Sequence, residues 1–225
     1  MSMIPPTPEG KRLAPLIDHT LLRAEATSEQ VAALCREAIY YGFAAVCVNP
    51  RLLPVAVRET EGFAVKAGTV VGFPLGADPA DQKAAEAARA VERGAEELDM
   101  VMAIGDLKEK NYRAVQEDIS AVVSAAAPGR LVKVILETHL LSDEEKVTAC
   151  RIVKDAGAHF VKTSTGLFGG GATEADVRLL RQTVGPDFGV KASGGVRTLE
   201  IAQAMIQAGA NRIGTSAGVA IVTGR

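Results

Sequence analysis

Five charged residues interrupt apolar runs where uncharged side chains are the rule. Asp99 lies in E-E-L-D-M-V-M, Lys133 and Glu137 in L-V-K-V-I-L-E-T, Lys162 in H-F-V-K-T-S-T-G and Lys191 in F-G-V-K-A-S-G-G. Lys162 and Lys191 occupy equivalent places, each after a valine and just before a small polar or glycine-rich stretch. If both point into one pocket, desolvation and mutual repulsion lower a lysine pKa. A lysine left neutral near pH 7 attacks carbonyls and forms an imine. A neighbouring carboxylate such as Asp99 can shuttle the protons. One lysine–aspartate pair in an apolar strand reads as a buried ion pair, and Lys133 is read that way, with Asp99 or Glu137 as partner. Two lysines in matching positions favour chemistry instead.

A second set of residues suits an anion. Thr163–Thr173 (T-S-T-G-L-F-G-G-G-A-T), Ser193–Thr198 (S-G-G-V-R-T) and Gly214–Val219 (G-T-S-A-G-V) are rich in glycine and hydroxyls. Glycine lets backbone N–H groups approach a phosphate closely. Gly194, Gly195, Gly214 and Ser216 are the expected donors. Any one of these loops alone reads as a tight turn; two together near the chain end favour a phosphate site.

Positioning these residues calls for eight short apolar runs alternating with amphipathic segments. The runs are Leu16–His19, Ala44–Asn49, Ala64–Phe73, Glu97–Met102, Leu131–Glu137, His159–Thr163, Gly189–Ser193 and Arg212–Thr215. Helical patterns cover Ser28–Tyr41, Pro50–Glu61, Pro79–Gly94, Lys108–Ala126, Ser142–Gly157, Thr173–Val184 and Thr198–Gly209. Ser28 and Ser142 are expected N-caps, Ser142 with Glu145 three residues on. Gly42, Gly94, Gly157 and Gly209 stand where left-handed helix ends are expected. Alternating strands and helices imply parallel strands with right-handed crossovers, and this predicts an α/β fold, a (β/α)8 TIM barrel in one catalytic domain over residues 1–225. The lysines and glycine loops then gather at the C-terminal face, where such barrels do chemistry. No G-x-G-x-x-G follows the first strand, which weighs against a dinucleotide-binding open sheet.

Composition narrows the partners. The 225 residues are 48% hydrophobic and 23% charged, with no Trp and a net charge of −2. Basic residues are spread rather than massed, so neither nucleic acid nor a membrane surface is an expected partner. No apolar stretch approaches the ~20 residues that span a bilayer. The N-terminus has no apolar signal region, and a cytoplasmic location is expected. Cys35, Cys47 and Cys150 show neither disulfide nor zinc spacing. Cys47 stands on the second strand, where an inert buried thiol is the expectation.

At Phe160–Gly166, Gly189–Val196 and Gly214–Gly218 the chain resembles the deoxyribose-phosphate aldolase family. The segments I-D-H-T-L-L (Ile17–Leu22), V-V-G-F-P-L-G (Val70–Gly76), E-L-D-M-V (Glu97–Val101) and K-V-I-L-E-T (Lys133–Thr138) resemble it too, in the same order from about Leu16 to Val222. The resemblance implies a class I aldolase acting on 2-deoxy-D-ribose 5-phosphate, with Lys162 as Schiff-base lysine, Lys191 as second lysine and Asp99 as proton carrier. It implies substrate contacts from Asp18, and with the loops just described from Thr163 and Gly166. It implies no metal, no organic cofactor and a possible homodimer. Leu167 and His139 depart from the family's usual Phe and Gly. Some members carry a tail ending in a tyrosine that reaches the site; no such contribution is expected from residues up to Arg225. The alternatives are another phosphate-binding barrel, such as a sugar-phosphate isomerase with Asp99 as base, and a non-catalytic sugar-phosphate sensor.

Overall fold

A computed structural model describes residues 3–126 and 128–225. Eight parallel strands close into a barrel in chain order. They are β1 (Ile17–Leu21), β2 (Ala45–Val48), β3 (Lys66–Val71), β4 (Glu97–Val101), β5 (Leu131–Ile135), β6 (Phe160–Lys162), β7 (Gly189–Ser193) and β8 (Arg212–Thr215). The helices are α1 (Pro8–Leu13), α2 (Ser28–Tyr41), α3 (Leu53–Thr60), α4 (Ala80–Glu92), α5 (Ile104–Lys108), α6 (Tyr112–Ala125), α7 (Asp143–Asp155), α8 (Glu174–Val184), α9 (Leu199–Gln207) and α10 (Gly218–Thr223). Closure comes from β1 pairing with β8, Asp18 opposite Gly214.

Successive strand residues face opposite sides of the sheet. In β4, Leu98 and Met100 pack into the layer shared with the helices, which sends Asp99 between them toward the barrel interior. Val132 and Val134 flank Lys133 in the same way, and Val190 and Ala192 flank Lys191. Each fully buried aliphatic side chain stabilises the fold by about 1.5–3 kcal/mol, which holds the intervening charges in place. The β-branched valines suit strands buried on both faces.

Ser142 caps α7 in a capping box with Glu145, as its spacing predicts. For α2 the cap is Thr27 rather than Ser28: its extended backbone frees the hydroxyl to accept from Gln30 N–H, and Ser28 is already helical. The glycines at 42, 94, 157 and 209 all take positive φ. The expected helix Lys108–Ala126 starts only at Tyr112: Lys108 closes the separate α5, and Lys110 adopts φ 60° between the two. Strand three is shorter than its apolar run, and strand five stops at Ile135, before Glu137. Helices α1 and α10, six residues each, are too short to leave a periodic pattern.

Candidate active site

Asp99 is the centre of the barrel's polar interior. Its Oδ2 accepts from Lys162 Nζ and from Lys191 Nζ, each at 2.7 Å, and its Oδ1 accepts from Lys133 Nζ at 2.9 Å. The strand registers explain the meeting: Asp99 stands opposite Lys133, and Lys162 opposite Lys191. Lys191 also donates to Asp18 Oδ2 at 2.5 Å, and Arg212 donates to Asp18 Oδ1 at 2.7 Å. Glu97 accepts from Lys133 at 2.5 Å and from Arg212 at 3.2 Å.

These contacts separate the two lysines. Burial lowers the Lys162 pKa; Asp99 raises it and Lys191 lowers it further, and the outcome is below the ordinary lysine value. Burial acts on Lys191 in the same direction, but Asp18 and Asp99 together outweigh it and hold its pKa above the ordinary value. Burial raises the Asp99 pKa, yet Lys133, Lys162 and Lys191 together hold the carboxyl well below the carboxylate range. Of the two, the surroundings of Lys162 favour loss of the proton and those of Lys191 favour keeping it.

Above this cluster lies a cavity of about 490 Å³. Lys162, Gly166, Gly194, Gly195, Gly214 and Ser216 line it, so six of the expected residues share one cavity. Lys191, Asp99, Asp18 and Thr163 are buried beneath it rather than lining it. The oxygens of Asp18 are occupied by Lys191 and Arg212. Thr163 serves as a latch: its Oγ1 donates to Ser193 O at 2.9 Å and accepts from Ser193 N at 3.0 Å. Gly214 has a packing role as well, since a Cβ there would lie 2.8 Å from Lys191 Cε.

Lys133 pairs with Asp99 as expected but not with Glu137. Past the end of β5, Glu137 takes φ 54° and turns toward the next loop, where Oε2 accepts from Thr165 N at 3.1 Å and from Thr165 Oγ1 at 2.5 Å. That carboxylate anchors the start of the loop over the cavity. Cys47 is buried, and burial with the nearby Asp99 pushes its thiol up to about 11, as an unreactive thiol requires. Glu97, Arg212 and Arg197 were not singled out by the sequence reading. Arg197 lines the cavity beside Gly194 and Gly195. Its position inside S-G-G-V-R-T was the available signal. For Glu97 and Arg212 the signal was a charge opening an apolar strand.

Residues 12–224 match the family described as DeoC/LacD family aldolase. The chain belongs to the DeoC/LacD aldolase family. Within it, a deoxyribose-phosphate aldolase of Clostridium perfringens is 54% identical over 217 residues, covering 96% of this chain and 97% of that one. One from Streptococcus sanguinis is 58% identical over 213 residues, covering 95% and 96%. Among solved structures, the tetrameric deoxyribose phosphate aldolase from Aeropyrum pernix superposes with a TM-score of 0.88 at 39% identity, covering 95% of this chain and 90% of that one. The closed barrel and the aldolase class of this DeoC/LacD chain therefore stand on both fold and sequence.

Proposed function

We propose that the protein reversibly cleaves 2-deoxy-D-ribose 5-phosphate to D-glyceraldehyde 3-phosphate and acetaldehyde through an imine on Lys162. The observation that carries this reading is the division at Asp99: the lysine with the lowered pKa lines the cavity, and the lysine with the raised pKa is buried behind it. The relatives' shared name supplies the substrate.

Neutral Lys162 adds to the open-chain aldehyde, and the carbinolamine loses water to give a protonated imine. Asp99, at hydrogen-bond distance from Lys162 Nζ, stabilises that positive charge. The iminium draws the electron pair of the C2–C3 bond into an enamine as the C3 hydroxyl gives up its proton and becomes the aldehyde of glyceraldehyde 3-phosphate. Protonation of the enamine carbon and addition of water release acetaldehyde and restore the amine. Asp99, Lys191 and water carry the protons. The cation on Lys191 also keeps Lys162 from holding its own proton. Gly194, Gly195, Ser216 and Arg197 form the wall for the phosphate, and no step calls for a metal or an organic cofactor.

Borohydride added with acetaldehyde is expected to leave a two-carbon adduct on Lys162. No adduct, or one on Lys191 instead, rejects the assignment. Lys162→Ala is expected to lose nearly all turnover and keep its fold. An isomerase with Asp99 as base fits less well, because it gives no part to a cavity-lining lysine with a lowered pKa. A sensor that only binds sugar phosphate gives no reason for the divided lysines. A cytoplasmic site of action, where the three buried free cysteines stay reduced, belongs to the same reading; no helix among the described residues is long and apolar enough to cross a membrane. So does a homodimer, to be weighed by light scattering against the tetramer described for the Aeropyrum pernix relative.

A further inference from the structure

The buried ions beneath the cavity form one connected network. Lys133, Lys162, Lys191 and Arg212 are its cations, and Asp18, Glu97 and Asp99 its carboxylates. Fully ionised, it holds one more positive than negative charge. A low-dielectric interior disfavours an uncompensated charge, so the surplus proton leaves from the cation that is held least. Lys133 meets Glu97, Asp99 and Asp18; Lys191 meets Asp18 and Asp99; Arg212 meets Asp18 and Glu97. Lys162 meets Asp99 alone, at an oxygen it shares with Lys191.

Glu97 and Arg212 are the first residues of β4 and β8, at the end of the barrel away from the cavity. Neither lines the cavity, yet both count in the same charge balance. We infer that this floor pair sets how readily Lys162 sheds its proton, acting through Asp18, Lys133 and Asp99. They are positioning residues for the amine, and their value to catalysis rests on the function proposed above. Lys162 is faced by Asp99 from β4, Lys191 from β7 and Cys47 from β2. Arg212 is faced by Asp18 from β1, Glu97 from β4, Lys133 from β5 and the Phe160 ring from β6.

The sign follows from the balance. Arg212→Gln removes the surplus charge, so Lys162 keeps its proton to higher pH. Glu97→Gln enlarges the surplus, so Lys162 loses its proton at lower pH. The double variant removes one charge of each sign and restores the original balance. Arg212→Lys keeps the charge. The Arg212 side chain is 14% exposed, so a neutral amide there retains access to water.

The test is competitive labelling of Lys162 with trace acetic anhydride, read by mass spectrometry between about pH 5 and pH 11, a range that spans ordinary and lowered lysine values. It reports the free amine whether or not the protein is an aldolase. The labelling midpoint is expected to rise by about one pH unit in Arg212→Gln and to fall by about one in Glu97→Gln, as for charges two or three layers apart at an effective dielectric of about 20. It should return to the parent value in the double variant and stay there in Arg212→Lys. Either single variant decides the matter if the other does not fold, and Arg212→Met and Glu97→Leu, which make the same charge changes with the same expected shifts, decide it if neither amide variant folds; a displaced midpoint in the double variant contradicts the balance. Unmoved single-variant midpoints, or both moving the same way, overturn the inference. If the midpoints move as expected but acetaldehyde and borohydride leave no adduct on Lys162, the aldolase reading fails and the inference stands.

Discussion

Lys162 and Lys191 donate to the same atom, Oδ2 of Asp99, each at 2.7 Å. They differ in what else they touch. Lys191 has Asp18 behind it, and Lys162 has the cavity in front. That asymmetry makes Lys162 the more easily deprotonated member of a matched pair of lysines.

Replacing Lys191 should therefore harm the reaction in two ways. In Lys191→Met the proton carrier beside Asp99 is lost, and kcat is expected to fall by about 10²–10⁴, the usual size of a positioned acid–base group. The repulsion that helps Lys162 release its proton is lost as well. The acid limb of kcat/KM should consequently move to higher pH. A limb that moves to lower pH contradicts the division of roles.

Stability should depend on pH through the same groups. Asp18 and Asp99 both have folded pKa values below the ordinary carboxylate value, so the unfolded chain takes up protons first as pH falls. Their contribution is full above the unfolded value of about 3.9 and is lost as pH drops below it toward the folded values. Lys133 and Lys191 have raised values and add stability that is full below about 10.4 and lost above it. Lys162 has the opposite sign, its lowered value costing stability until it deprotonates. Urea midpoints for the parent should hold through neutral pH and fall below about pH 4. Asp99→Asn should show a shallower fall on the acid side.

The phosphate wall offers a kinetic separation. Arg197 is exposed at the cavity edge beside the glycine turns, where it can meet a dianion but not the reacting carbons. A hydrogen bond to a charged group contributes about 1.5–3 kcal/mol, so Arg197→Met should raise KM for the phosphorylated sugar by about tenfold or more. The change in kcat should stay within about twofold, the pattern of lost uniform binding. Turnover of an unphosphorylated aldehyde pair should not respond, and weaker inhibition by inorganic phosphate provides a second readout.

Gly214 tests how tightly Lys191 is housed. A Cβ there would sit 2.8 Å from Lys191 Cε and 3.0 Å from Ser193 Cβ. Overpacking of this kind costs about 1–3 kcal/mol, or a Tm lower by about 2–12 °C for a chain of this size. Gly214→Ala should also lower kcat, because the lysine must shift away from Asp99. A variant with lower Tm and unchanged kcat would show that Lys191 tolerates displacement.

The order of eight strands, the presence of Asp99, Lys162 and Lys191 within them, and the glycine-rich loops at one barrel mouth were all determined by the sequence alone. Each depends on short-range regularities: alternation along a strand, helical spacing between strands, and turn residues at strand ends. Tertiary structure decided which charges meet. Lys191 reaches Asp18 across 173 residues of chain and Arg212 reaches it across 194. Those contacts exist only because β8 closes against β1. No local pattern records that closure in side-chain detail. Hence the contacts of Asp18 with Lys191 and Arg212, and the choice of Asp99 over Glu137 as the partner of Lys133, were left to the tertiary structure. Which of two matching lysines gives up its proton is likewise a property of the closed barrel, because a pKa answers to every charge within reach in three dimensions rather than to neighbours in sequence.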